Sequence, residues 1–248
     1  MPHFVLVHGT TQSPAGWDRL AAELHGHGHG VTTIDLPGEQ PGWAPADYAR
    51  HAAAQAGSAG EHPVVVAHSG AGVLLPAIAE AIGAATAVWL AAYVPDLAGG
   101  TSMLEDIKAQ RDAMFHPDWL GVDPTGDPQL ALRFLFHDCD PQDRQWALGT
   151  LRLFNPGPAV YQHPADALPA GIARAAIVPA ADRTLRPGWM RQAARQRLGT
   201  EPVPIDTGHC PHVSRPRELA DLLTSLPRAQ EAAYEQSSAK HRHIPRKP

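Results

Sequence analysis

Cysteine is almost absent from this sequence: only Cys139 and Cys210 occur. Two thiols make no disulfide framework, and no CxxC or comparable spacing offers a metal site, so both are read as free thiols in a reducing compartment. Long apolar runs are missing as well. Nothing approaches the roughly 18–20 apolar residues that a membrane-spanning helix needs. The opening stretch, Met1 to His8, lacks the cationic start and apolar core of a secretory signal, so a cytoplasmic protein with no membrane partner is expected. Positive charge is also in short supply. A formal net charge of −5 gives no electrostatic basis for binding nucleic acid. Charged residues make up only 18% and hydrophobic residues 44%, which excludes a disordered chain. The 248 residues suffice for one large α/β domain with a modest insertion.

What is present is an alternation of short, β-branched apolar runs with helical patterns. The runs fall at 3–8, 31–36, 63–67, 86–92, 174–179 and 202–206. Continuous apolar runs suit strands buried on both faces, so the pattern predicts a mostly parallel sheet of about six strands, with helices on both sides. Trp17, Leu20, Ala21 and Leu24 share one helical face. Val73, Leu74, Ala77, Ile78, Ala81 and Ile82 share another. Leu219, Leu222, Leu223 and Leu226 mark a last helix, entered at Pro216. Core residues are therefore expected at 1–96 and 166–226. Residues 97–165 are too long for a simple crossover and carry helical pieces near 102–115, 128–136 and 141–154, which reads as a helical cap. Seven of the fifteen aromatic residues fall in that segment, more than its share of the length. This suits a cap core or a pocket lining. The polar, basic tail at 227–248 reads as disordered.

Chemistry concentrates at the strand ends. Val64-Val65-Val66-Ala67-His68-Ser69-Gly70-Ala71-Gly72 reads as strand, sharp turn and helix, with Ser69 pushed up out of the sheet. Such a turn demands small residues two before and two after the serine, usually as G-x-S-x-G; here Ala67 and Ala71 stand in those places. His8-Gly9-Thr10-Thr11 follows the first strand. Its loop would supply one backbone N–H of an oxyanion hole through Thr10, with neighbouring Gly9 or Thr11 as alternatives, and Gly70 would supply the other, because a tetrahedral intermediate concentrates charge on one oxygen. Asp182 lies just past the fifth run and His209 just past the sixth. Serine is a poor nucleophile until a base takes its proton, and that base needs an anion to hold its tautomer. The order Ser69, Asp182, His209, each at the carboxyl end of a strand, matches the order used with such a turn. Asp96, after the fourth strand, is a rival acid, and His212 a rival base. His68 reads as a residue packed beside the nucleophile and is also a candidate substrate contact, with Trp17, Phe134 and Trp146. The run His25-Gly26-His27-Gly28-His29-Gly30 reads as a surface loop, its three glycines too loose for a metal site.

On these residues the chain resembles the α/β-hydrolase superfamily. Within it, the likeness is to small bacterial esterase-like proteins related to plant methylesterases and hydroxynitrile lyases. It is sharpest at residues 3–8, 31–38, 67–72, 89–96 and 208–216, and it implies the same roles for Ser69, Asp182, His209, Thr10 and Gly70. Two departures bear on chemistry. The lyases place lysine directly after the catalytic histidine, where this chain has Cys210, and an acidic residue before the nucleophile, where it has His68. The expectation is a serine hydrolase that cleaves a small, apolar ester or thioester through an acyl-enzyme, without a cofactor or metal. A lyase- or cyclase-type tailoring enzyme on the same residues, or a ligand-binding protein, is the alternative. The partner is a small-molecule substrate, and a homodimer is left open.

Overall fold

The computed structural model describes residues 1–226, so the tail expected at 227–248 lies outside the described residues. Its strands are β1 (His3–Val7), β2 (Gly30–Ile34), β3 (Glu39–Gln40), β4 (Val64–His68), β5 (Thr86–Leu90), β6 (Asn155–Pro156), β7 (Ala173–Pro179) and β8 (Val203–Ile205). Six of them form one sheet in the order β2-β1-β4-β5-β7-β8, every neighbouring pair parallel. These are the six strands expected from the apolar runs, with ends shifted by a residue or two. The α-helices are α1 (Asp18–Gly26), α2 (Pro45–Ala56), α3 (Leu75–Ile82), α4 (Met103–Met114), α5 (Pro128–Phe134), α6 (Arg144–Gly149), α7 (Pro158–Gln162), α8 (Pro187–Ala193), α9 (Pro211–Ser214) and α10 (Pro216–Ser225).

Side chains alternate across each strand, and here both faces are covered. Phe4, Leu6, Val66, Val88, Leu90 and Ile177 turn to one face and pack against Trp17, α1 and α10 through Leu20, Leu24, Leu219 and Leu223. Val5, Val7, Val65, Ala67, Trp89 and Val178 turn to the other and meet α2, α3 and α8 through Tyr48, Ala52, Leu75, Ile78 and Trp189. Each fully buried Leu, Val or Phe contributes about 1.5–3 kcal/mol, so the two apolar layers fix the register of the sheet. The chain runs from β1 out to β2 and then returns to the far side of β1 as β4. The carboxyl ends of β1 and β4 therefore flank the point where the winding reverses, the crevice where open parallel sheets bind ligands.

Between β5 and β7 the chain runs through α4 to α7. The expected pieces at 102–115 and 128–136 are α4 and α5. The third, expected over 141–154, is only α6, and the rest is corrected. Residues 151–157 run extended beside the loop after β1. Ser13 N–H donates to the Thr150 carbonyl (2.9 Å), Arg152 N–H to that of Thr11 (3.2 Å) and Phe154 N–H to that of Thr10 (2.7 Å). β6 then pairs with β3. Pro156 and Pro158 cannot continue a helix, and the residue before each is pushed toward extended backbone. α4 begins with a capping box, Glu105 N–H donating to Ser102 Oγ and Ser102 N–H to Glu105 Oε2 (3.3 and 2.9 Å).

Helix α4 is tied to the core by an ion pair between buried Asp106 and half-buried Arg197. Arg197 donates to both oxygens of Asp106 (2.5 and 3.0 Å), and Tyr93 Oη–H donates to Oδ2 (2.6 Å). Arg197 also donates to the Val94 carbonyl (2.8 Å). Burial works against the charged form of Asp106, but the Arg197 and Tyr93 bonds outweigh it and hold the carboxyl below its usual range. Removing one partner of such a pair strands the other charge. Asp106→Ala is therefore expected to cost about 3–5 kcal/mol of stability, read by urea denaturation at pH 7; a loss under about 1 kcal/mol, the size of a surface pair, would contradict this reading.

Candidate active site

Ser69 follows β4 directly and has φ of 56°, in the left-handed region. For an L-residue this conformation costs about 1–2 kcal/mol, and it lifts the side chain away from the sheet. The turn is held from β5. Tyr93 N–H donates to the Ser69 carbonyl (3.1 Å), and Trp89 Nε1–H to that of Gly72 (3.1 Å). The small residues Ala67 and Ala71 are fully buried, as expected. The tightest approach, however, is one residue later: a Cβ on Gly72 would fall 2.1 Å from the Tyr93 carbonyl oxygen.

Ser69, His209 and Asp182 form one hydrogen-bonded chain. His209 Nδ1 lies 2.7 Å from Asp182 Oδ2, and Nε2 lies 2.9 Å from Ser69 Oγ. A carboxylate only accepts, so Nδ1 carries the proton and Nε2 is left to accept from the serine hydroxyl. Asp182 and His209 are buried, whereas Ser69 is half-buried. Neither rival joins this chain. Asp96 turns its carboxylate to its own loop, accepting from Gly99 N–H at 2.7 Å. His212 is buried with Nε2 2.9 Å from Gln12 Oε1.

Thr184 completes the surroundings of Asp182 and was not singled out from the sequence. Its N–H donates to Asp182 Oδ1 (2.7 Å) and its hydroxyl to the same oxygen (3.0 Å), while that hydroxyl accepts from Leu185 N–H (2.6 Å). Oδ1 is thereby occupied and Oδ2 faces the imidazole; Thr184 Oγ1 also lies 2.8 Å from His209 Nδ1. A threonine two residues past a candidate acid is the signal that could have found it.

The loop after β1 lies against the Ser69 turn, since a Cβ on Gly70 would fall 2.7 Å from Thr10 Cγ2. His8 sets this loop. Its Nδ1–H donates to the Gly9 carbonyl (2.9 Å), and its Nε2 accepts from Leu36 N–H (3.0 Å). A trans peptide points its N–H opposite to its carbonyl, so pinning the Gly9 carbonyl also aims the Thr10 N–H.

Of the four expected substrate contacts, Trp17, His68 and Phe134 are buried and Trp146 is half-buried. Trp17 and His68 are 0% exposed. His68 lies under His209, its Nε2–H donating to the His209 carbonyl (2.9 Å), and Trp17 packs below it against His212, ring centroids 4.2 Å apart. Phe134 is buried against Trp119 at 5.4 Å. Trp146 is half-buried with the Arg19 guanidinium over its ring at 4.1 Å. Aromatic character marked these residues, but it does not say which face of an element they occupy. The run His25 to Gly30 spans the end of α1 and the turn into β2.

Three further imidazoles around the site are kept neutral. Burial pushes His8 down to about 4 and His212 down to about 3, and it also holds His68 well below its ordinary value. The unfolded chain takes up protons on these groups below their ordinary value of 6.5, while the folded chain does not. Their contribution to stability is thus complete above pH 6.5 and is lost as pH falls toward 4. Urea melts at pH 7, 6 and 5 are expected to give steadily lower midpoints; a midpoint constant over that range would contradict the burial argument.

The family model described as the alpha/beta hydrolase family matches residues 4–222. Among solved structures the chain is similar to polyneuridine aldehyde esterase (21% identity, TM-score 0.74, covering 90% of this chain and 98% of that one). It is also similar to a pyrethroid hydrolase from Sphingobium faniae (18%, 0.71, 94% and 99%) and to a methylesterase from Arabidopsis (18%, 0.66, 90% and 98%). No curated protein sequence matches it. At these identities the structural likeness speaks for the fold, whereas the family match spans most of the sequence. The chain belongs to the alpha/beta hydrolase family.

Proposed function

We propose that the protein is a serine hydrolase acting on a small, apolar ester or thioester, with Ser69 as nucleophile, His209 as general base and Asp182 as the acid that orients it. The observation that carries this reading is the unbroken chain from Ser69 Oγ through His209 to Asp182 at 2.9 and 2.7 Å, built on a serine with left-handed backbone. His209 Nε2 takes the hydroxyl proton as Oγ attacks the substrate carbonyl. The Thr10 and Gly70 N–H groups hold the developing oxyanion, each such donor being worth roughly 10²–10³ in rate. The protonated imidazole then gives its proton to the leaving oxygen or sulfur. Water, activated by the same nitrogen, releases the acyl group and restores Ser69. Residues 97–165 serve as a cap over the strand ends.

Ester cleavage is favoured by the company the fold keeps, since the similar structures include an esterase, a methylesterase and a pyrethroid hydrolase. The lyase alternative loses ground at Cys210. That residue is buried, and burial pushes its thiol well above the ordinary value, so the position beside the base holds a neutral group and no cation.

Turnover of p-nitrophenyl acetate and butyrate tests the reading. Ser69→Ala is expected to lower kcat by on the order of 10⁶. Asp182→Asn, which keeps the shape but upsets the tautomer, is expected to cost about 10⁴. Wild type that turns over neither ester, or Ser69→Ala that matches wild type, would overturn the hydrolase reading.

A further inference from the structure

Residues 136–139, in the segment between β5 and β7, reach both loops that carry the proposed base and acid. Asp138 Oδ2 accepts from Gly208 N–H (2.7 Å) and from Ser214 Oγ–H (2.7 Å). His137 Nε2–H donates to the Ala181 carbonyl (3.1 Å). Gly208 immediately precedes His209, and Ala181 immediately precedes Asp182. Contact is close: a Cβ on Gly208 would lie 2.6 Å from Asp138 Oδ1 and 2.8 Å from His137 Nε2. Beneath, Phe136 and Cys139 share an apolar cluster with Cys210 and Val213 on the other side of the base.

A glycine beside the base is the most permissive backbone position a loop can have. Left alone it would let the imidazole swing away from Ser69, and a displacement near 1 Å is enough to cost roughly 10²-fold in rate. The His209 carbonyl is held by His68 (2.9 Å), but the Gly208 N–H is held by Asp138. A carboxylate acceptor makes that bond stronger than a neutral one would be. Nothing in the separation of 70 positions between them requires the pair to meet except the folding of this segment onto the sheet.

We propose that Asp138 is a positioning residue: it fixes the Gly208 peptide and through it the His209 imidazole, so that the segment between β5 and β7 aligns the base as well as covering the site. The proposal rests on the reading of Ser69, His209 and Asp182 given above. Asp138→Ala and Asp138→Asn separate the hydrogen bond from the bulk fold. Asn keeps an acceptor for Gly208 N–H and places its NH₂ where Oδ1, buried, has no partner among the described residues.

The experiment measures kcat and KM for p-nitrophenyl butyrate in wild type, Ser69→Ala and both Asp138 variants. Urea melts check folding, and proton NMR follows the low-field His209 Nδ1–H signal. Asp138→Ala is expected to lower kcat roughly 10- to 100-fold, to change KM by less than about twofold and to lose the low-field signal. Asp138→Asn is expected to recover most of kcat and the signal. A folded Asp138→Ala with wild-type kcat and signal would overturn the proposal, as would an Asn variant as impaired as Ala. If wild type is no faster than Ser69→Ala, the reading of Ser69 is at fault, and the NMR signal decides alone. Its loss in Asp138→Ala supports the positioning role, and its persistence rejects it.

Discussion

A serine held at φ of 56° is a conformation the chain would leave if it could, because the left-handed region costs an L-residue about 1–2 kcal/mol. What keeps Ser69 there is the end of the neighbouring strand. Tyr93 clasps the turn through its backbone, giving its N–H to the Ser69 carbonyl and leaving no room for any side chain at position 72. The same Tyr93 is anchored at its other end, where its hydroxyl meets Asp106 and the Arg197 guanidinium. Ala91, two residues before Tyr93, is the other non-glycine residue with positive φ among the described residues (47°). Strain at the ends of β4 and β5 is thus balanced by the Asp106–Arg197 ion pair that also fastens α4. Such over-determined strain is characteristic of functional sites.

Around this turn the protein places imidazoles with different duties. His8 sets the peptide plane ahead of Thr10, His68 holds the carbonyl of His209, and His212 fills the layer against Trp17. Burial keeps all three neutral. They add no positive charge beside His209, which would oppose formation of an imidazolium there. The apolar packing that makes the site rigid therefore also sets its electrostatics.

The sheet was legible in the sequence because strands buried on both faces write themselves as continuous runs such as Val64-Val65-Val66. Ser69, Asp182 and His209 were legible because each follows such a run. Their meeting depended only on β4, β7 and β8 being parallel. Residues whose part depends on distant contacts were not legible. Asp138 and Gly208 are brought together across 70 positions, and the pairing of β3 with β6 involves two residues on each side, too few for any periodicity. Residues 151–154 were expected to be helical, yet they lie extended because the loop after β1 takes the N–H groups of Arg152 and Phe154. The aromatic residues are less legible for a different reason. Trp17 and Phe134 look like pocket walls in a list of side chains, but an aromatic ring serves a core as readily as a ligand, and here both are buried.

Reaction with a fluorophosphonate, followed by peptide mapping of the adduct, tests most directly whether Ser69 is an activated nucleophile. The account predicts one phosphonyl group, carried by the peptide containing Ser69, with labelling that disappears in Asp182→Asn or slows greatly. An adduct on another residue, or a folded wild-type protein that takes up no label, would contradict it.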